Sequence, residues 1–295
     1  MSEIYDESMS SFKTYAECKK KWEYRYKRGL VPLQNNTETL DIGTLYHAGM
    51  AEGYRHGIYN LDNWVENAHN GIDITLRDGY DYHGERRVLN VEKEKVQLVK
   101  DMLEFYWENL GQHDVFDEII AVEESFSLYI NGRTITNTFD LLVRQQGRLC
   151  IWDHKTVGSV NDTLAFLPLD MQSNMYQVAA WLKFGEPVEF MYNIARRAVP
   201  RELTASGRKS TASKDPADYL RRVNSIKSEG ELRYVYEELK NQNQEMRQRT
   251  WFPREPQKGF MGCNGCAYRD ICSAEQTGKR VSKTMLEMSY EIRSV

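Results

Sequence analysis

Long apolar runs are missing from these 295 residues, and the ones present are far too short to span a bilayer. The opening, MSEIYDESMSSFKTY, lacks the basic start and apolar stretch of an export signal. Internal repeats and low-complexity segments are also lacking. These absences argue against a membrane or exported protein and make a reducing cytoplasm the expected compartment. There, five cysteines are better read as metal ligands or buried thiols than as disulfides. An excess of positive charge is missing too: the net charge of −4 by itself argues against an indiscriminate nucleic-acid coat.

What is present is enough apolar material, 41% of residues, to bury a sizeable core. The charge is unevenly spread. Residues 13–28 carry seven basic side chains against Glu17 and Glu23, and residues 196–214 carry six against Glu202. Two basic stretches on an acidic remainder can mark where a polyanion sits; the alternative for each is ordinary solvated helix or loop surface. Trp22, Tyr24 and Tyr26 interleave the first run, which suits either base stacking or core packing.

Hydrophobic spacing predicts a helix over 9–28, with Ser10 or Ser11 as N-cap and Gly29 just past its end, then helices from near Asp41, over 61–77 and over 90–111. From about 117 the period becomes that of strands: DEIIAVEESFSLYI, RTITNTFDLLV and RLCIWDHKT. A helix over 168–184 and a strand over 187–195 follow, then a Ser/Thr/Lys/Arg-rich loop over 200–216 and a long charged helix over 215–249. This order predicts one compact α/β domain: a helical part over 1–112 with Cys18 and His47, a core over 113–200, the basic loop and long helix over 201–258, and a cysteine segment with polar tail over 259–295.

The hairpin TFDLLVRQQGRLCIWDHKT, residues 138–156, poses the chemical question. With Gln146–Gly147 as a two-residue turn, Leu142 faces Ile151, Arg144 faces Leu149, and Asp140 faces Asp153. Opposed side chains share a face, and Lys155, two residues on, shares it too. Both faces are mostly apolar, as in strands covered on both sides. Two carboxylates held close in such a place repel and lose hydration, and a hard divalent cation removes both penalties. A structural ion pair of Lys155 with one carboxylate is the alternative. Pairing geometry leaves the two open.

These residues resemble the PD-(D/E)XK nuclease signature: Asp140 as first acid, Asp153-His154-Lys155 as the D-x-K element, and Thr156 as in the D-x-K-T ending of the RecB-like branch. His47 in GTLYH resembles that branch's helical histidine, Gln172 and Tyr176 its Q-x-x-x-Y motif, and Glu123 or Glu124 its upstream acid. Asn137 departs from the glycine common three residues before the first acid. No G-x-x-x-x-G-K-[ST] motif is present, so the resemblance is to free-standing nucleases, often virus-encoded or CRISPR-associated, rather than to a helicase fusion.

The resemblance implies a restriction-endonuclease-like mixed β-sheet flanked by helices, and a metal-dependent nuclease, more specifically an exonuclease on single-stranded DNA or DNA ends. Asp140, Asp153, the backbone carbonyl of His154, His47 and Glu123 would hold Mg²⁺ or Mn²⁺. Lys155 would orient water or stabilise charge, and Gln172 and Tyr176 would position water or the DNA backbone. Arg196, Arg197, Arg208, Lys209 and Lys214 are candidate DNA contacts. A virus-encoded chain would work in its host's cytoplasm. The rival of a different class is a non-catalytic or partner-dependent DNA-end-binding protein serving recombination or CRISPR adaptation.

Three cysteines within ten residues, Cys263, Cys266 and Cys272, point to a metal, and their spacing does not separate zinc from iron–sulfur. Together with Cys18 they resemble the iron–sulfur subgroup that includes the AddB nuclease domain and CRISPR-associated RecB-like exonucleases. That implies a structural [4Fe–4S] cluster on all four, with Zn²⁺ as the alternative. Cys150 reads as a core residue.

Overall fold

The computed structural model describes residues 8–33, 38–56, 58–78, 91–165, 167, 170–202, 207–255, 263–278, 281 and 283–292. In chain order these form α1 (Met9–Glu17), α2 (Lys19–Trp22) with a π-turn (Glu23–Lys27), β1 (Leu30–Pro32), α3 (Glu38–Arg55), α4 (Trp64–Asp78), α5 (Lys93–Asn109), β2 (Glu118–Ile130), β3 (Arg133–Gln145), β4 (Arg148–Val157), α6 (Val160–Leu164), α7 (Met171–Phe184), β5 (Glu189–Arg196), β6 (Leu220–Ser225), α8 (Glu229–Gln248), α9 (Arg269–Gln276), α10 (Lys283–Ser289) and β7 (Tyr290–Ile292). The chain divides into two compact units.

The larger unit, Thr37–Phe126 with Thr138–Leu232, holds most of a five-stranded mixed sheet in the order β2-β3-β4-β5-β6. β3 and β4 are antiparallel, β4 and β5 parallel, β5 and β6 antiparallel. The parallel pair needs a crossover, and α6 and α7 supply it. α7 begins at Asp170, whose carboxylate accepts the Ser173 N–H at 3.2 Å, and ends at Gly185 with φ +77°. Leu141, Val143, Cys150 and Trp152 pack with α3, α4 and α5 into one apolar cluster. α3 and α4 approach closely through glycine: a Cβ on Gly71 would stand 2.5 Å from the Ala48 carbonyl oxygen. This close seating holds α3, the helix that carries His47, against α4.

The hairpin turn falls at Gln146 and Gly147, both with positive φ, and the expected register is observed from Leu141↔Trp152 to Gln145↔Arg148. The ladder stops one pair short of the expected Asp140–Asp153 opposition. Beyond it Phe139 leaves the face of Leu141 and packs on Phe126 and Tyr176, with ring centroids 3.7 and 5.5 Å away.

The helix expected over 215–249 is not continuous. Leu220–Ser225 is β6, paired with β5 by Ala195↔Leu220 through Phe190↔Ser225, and the helix starts only at Glu229. Backbone pairing along the open side of β5 outweighs the helical propensity of LRRVNS, a tertiary effect no local pattern reveals.

The second unit comprises Met1–Asn36, Ser127–Asn137 and Arg233–Val295. The helix expected over 9–28 breaks at Cys18, whose φ of −159° and ψ of 113° are extended, and its N-cap is Ser8 rather than Ser10 or Ser11. Trp22, Tyr24 and Tyr26 are buried, so they are core rather than a stacking surface. The basic side chains around them are largely neutralised: Lys19 by Glu255, Lys20 by Glu23 and Glu275, Lys21 by Glu17, and Arg28 by Glu275. Within the polar tail, β7 pairs antiparallel with β1. Among the described residues no helix is long and apolar enough to cross a membrane.

Candidate active site

The candidate site lies wholly within the larger unit, where β3 and β4 separate. Asp140 is buried, and its Oδ2 accepts the backbone N–H of His154 at 2.6 Å, a hydrogen bond β3 would otherwise supply from its own backbone. His47, from α3, brings Nδ1 to 3.4 Å from the same oxygen and 3.9 Å from Glu123 Oε1. One ligating atom from each of His47, Glu123 and Asp140 lies within 4.8 Å of the others.

Glu123 reaches the site through an irregularity in β2. Its φ is +50°, uncommon for a residue with a Cβ, and the in–out alternation of β2 changes phase there. The Glu123 side chain is thereby buried, while Glu124 turns outward to Lys183 at 3.3 Å.

The second half of the site is built on β4 and α7. Lys155 Nζ lies 2.6 Å from Asp153 Oδ2 and donates to Gln172 Oε1 at 2.9 Å. Gln172 Nε2 donates to Asp153 Oδ1 at 2.8 Å and to Tyr176 Oη at 3.1 Å. Gln172 and Tyr176 are one helical turn apart, so both point from α7 toward the same strand end. Asp153 thus bonds to Lys155 and Gln172, close enough to Asp140 to raise its pKa.

The electrostatics record crowding of negative charge. Burial pushes Asp140 up to about 6, with His47 opposing and Asp153 adding to the rise. Burial likewise pushes Glu123 up to about 8, against the pull of His47. Burial lowers His47, but Asp140, Glu123 and Asp153 together outweigh it and lift the imidazole to about 9. Lys155 is also lifted: burial opposes its charge, and Asp153 and Asp170 outweigh that. It is therefore an ammonium at neutral pH, able to donate but not to accept a proton.

Three oxygen or imidazole donors around shared space, each keeping its proton to a higher pH than usual, form a donor set suited to a hard divalent cation. A family model described as the PD-(D/E)XK nuclease superfamily matches residues 7–273. This chain belongs to the PD-(D/E)XK nuclease superfamily. A crystal structure described as a candidate exonuclease from Eubacterium rectale shares the fold, with a TM-score of 0.51 over 95% of this chain and 90% of that one at 13% identity. A second solved structure, SSO0001, matches 62% of this chain and 78% of its own at 13% identity with a TM-score of 0.30. No curated protein sequence matches the chain. The mixed sheet flanked by helices is consistent with the restriction-endonuclease-like core of this superfamily.

Of the other sequence-picked residues, Arg197 Nη1 donates to the Thr156 carbonyl at 3.1 Å, beside the end of the D-x-K strand. Arg196 lies over the Tyr219 ring, Arg208 and Lys209 are exposed, and Lys214 pairs with Glu202 at 3.1 Å. Residues 203–206 of the expected loop lie outside the described residues. The four cysteines fall in the smaller unit as free thiols; among the described residues they do not close to the spacing that the His47 set reaches.

Sequence reasoning missed Asn193, Arg222, Asp114, Tyr54 and Tyr106, which form a buried polar cluster behind His154. Asn193, polar within the apolar strand MYNIA, carried the one local signal.

Proposed function

We propose that this nuclease is a divalent-metal-dependent deoxyribonuclease, acting as an exonuclease on single strands or DNA ends. The observation that carries the reading is the convergence of His47, Glu123 and Asp140 beside the Lys155–Asp153 pair. Asp140, Glu123 and His47 hold Mg²⁺ or Mn²⁺, completed on the β4 side by Asp153 and the His154 carbonyl. Such an ion, when bound, lowers the pKa of a water and offsets charge on the scissile phosphate. Lys155, kept charged by Asp153 and Asp170, donates to the attacking water or to the non-bridging phosphate oxygens. Gln172, bonded to both Lys155 and Asp153, fixes their separation, and Tyr176 fixes Gln172. Arg197 is the best placed of the basic residues to meet the DNA backbone, since it is anchored at Thr156.

The four cysteines are proposed to carry a structural [4Fe–4S] cluster, with zinc as the alternative. The support is proximity within one unit: burial raises the Cys266 thiol first, and Cys18 and Cys263 are near enough to raise it further. Iron and sulfide content with the visible absorbance of anaerobically purified protein separates cluster from zinc.

The activity test is digestion of end-labelled single- and double-stranded DNA with Mg²⁺ or Mn²⁺, beside Lys155→Ala. Metal-dependent cleavage lost in the variant supports the reading, and the labelled products give polarity. Folded wild type that cleaves nothing, or equal cleavage by both proteins, sinks it.

A further inference from the structure

The middle residue of the D-x-K element does more than separate its neighbours. The peptide N–H of His154 holds Asp140, while its ring is buried among groups that no catalytic role yet explains. Asn193 Nδ2 lies 3.0 Å from His154 Nδ1. Arg222 Nε lies 3.3 Å from Asn193 Oδ1. The three residues are cross-strand neighbours in register, His154↔Asn193 between β4 and β5 and Asn193↔Arg222 between β5 and β6. They form a transverse row over three adjacent strands.

The row has a direction. A guanidinium has donors only, so the Asn193 amide oxygen is committed to Arg222 and its NH₂ group must face the imidazole. His154 Nδ1 is then an acceptor, and the ring proton sits on Nε2. Arg222 is held in turn: Nη2 donates to Asp114 Oδ2 at 2.9 Å and to Tyr106 Oη at 2.8 Å, and the guanidinium lies 4.5 Å from the Trp152 ring. Tyr54 donates to Asp114 at 2.9 Å, meets Tyr106 at 2.8 Å and stacks on the His154 ring at 6.4 Å. A space-filling cluster would not need the orientation of every member fixed by the next.

We propose that Asn193 and Arg222 are positioning residues of the metal site: through His154 they fix the peptide whose N–H binds Asp140 and whose carbonyl is offered to the cation. This rests on the cation reading above. Partners one bond removed from metal ligands typically change affinity or activity by roughly 10- to 100-fold when lost.

The test uses the full chain, with its cysteine site intact, as wild type, Asn193→Leu, Asn193→Asp and Arg222→Lys. Histidine ¹⁵N NMR of metal-free protein reads the tautomer, and titration with Mn²⁺ alone reads affinity. Wild type should show His154 protonated at Nε2, and Asn193→Asp should move that proton to Nδ1, because a carboxylate can only accept. Asn193→Leu should weaken Mn²⁺ binding roughly 10- to 100-fold, with KM for DNA at saturating Mn²⁺ unchanged. In a His154→Leu background, adding Asn193→Leu should change Mn²⁺ affinity by less than about twofold. If Asn193→Leu does not fold, Arg222→Lys, which keeps the charge against Asp114 but loses the fork, takes its place with the same expectation.

Unchanged Mn²⁺ affinity in a folded variant, or the same loss in the His154→Leu background, overturns the inference while leaving the cation reading intact. Wild type that binds no Mn²⁺ overturns the cation reading and this inference with it.

Discussion

Asp114 and Asp140 are both buried carboxylates of the same unit, and the chain treats them differently. Asp114 meets Arg222 along one edge and accepts from Tyr54 and Tyr106. Burial still raises its pKa, but the Arg222 counter-charge and two tyrosine hydroxyls from the protein itself satisfy its oxygens. Asp140 shares its surroundings with Glu123 and Asp153, against one imidazole and one ammonium, and burial with neighbouring charge lifts it to about 6. A carboxylate compensated from within is structural. One left with surplus negative charge around it is compensated from outside, by protons when alone and by a cation in use.

The largest expected effect sharpens this contrast. Asp140→Ala should lower metal-dependent cleavage by about a thousandfold or more, measured by single-turnover digestion, because charge stabilisation of several kcal/mol is lost. Arg222→Met should instead cost about 3–5 kcal/mol of stability in chemical denaturation, since it strands Asp114, and adding Asp114→Asn should recover part of the loss.

Asp140→Asn keeps an acceptor for the His154 N–H while removing the charge. Metal-free, near neutral pH, it should stabilise the fold by about 1–3 kcal/mol, the direction opposite to Arg222→Met. A destabilised Asp140→Asn would break the comparison.

The pH dependence follows from the same shifts. Asp140, Glu123 and His47 all have folded values above their ordinary 3.8, 4.5 and 6.5. At these three groups the metal-free folded state holds more protons than the unfolded chain, so their contribution to stability falls as pH rises from near 4 to about 9. A cation displaces those protons, so the gain in Tm on adding Mg²⁺ should grow with pH over this window. A gain that shrinks as pH rises would count against the site.

The smallest effect concerns Glu124, one residue from Glu123 but outward and exposed. Glu124→Ala should change stability by less than about 0.5 kcal/mol and leave cleavage as it was, whereas Glu123→Gln should weaken Mn²⁺ binding.

How legible was this in the sequence? The hairpin register was readable because Gln146–Gly147 fixes a two-residue turn, and strand pairing then follows by counting. Gln172 and Tyr176 were readable as one helical face. Glu123 against Glu124 was not, because alternation permits either and only the positive φ of Glu123 in the folded strand selects one. β6 was not, because its partner β5 lies some thirty residues back and LRRVNS carries no strand signal strong enough to break the charged helix around it.

The sequence by itself determined the elements whose cause is local: the hairpin turn, the apolar helix and strand faces, and the spacing of Asp153 and Lys155 on one strand. Only the tertiary structure decided which distant residues meet. His47 reaches Asp140 because α3 packs on β3 and β4 in one apolar cluster, and Arg222 reaches Asn193 because β6 adds to the sheet in one register. Local preferences act through a residue's immediate neighbours, whereas these meetings depend on packing and pairing summed over the whole unit.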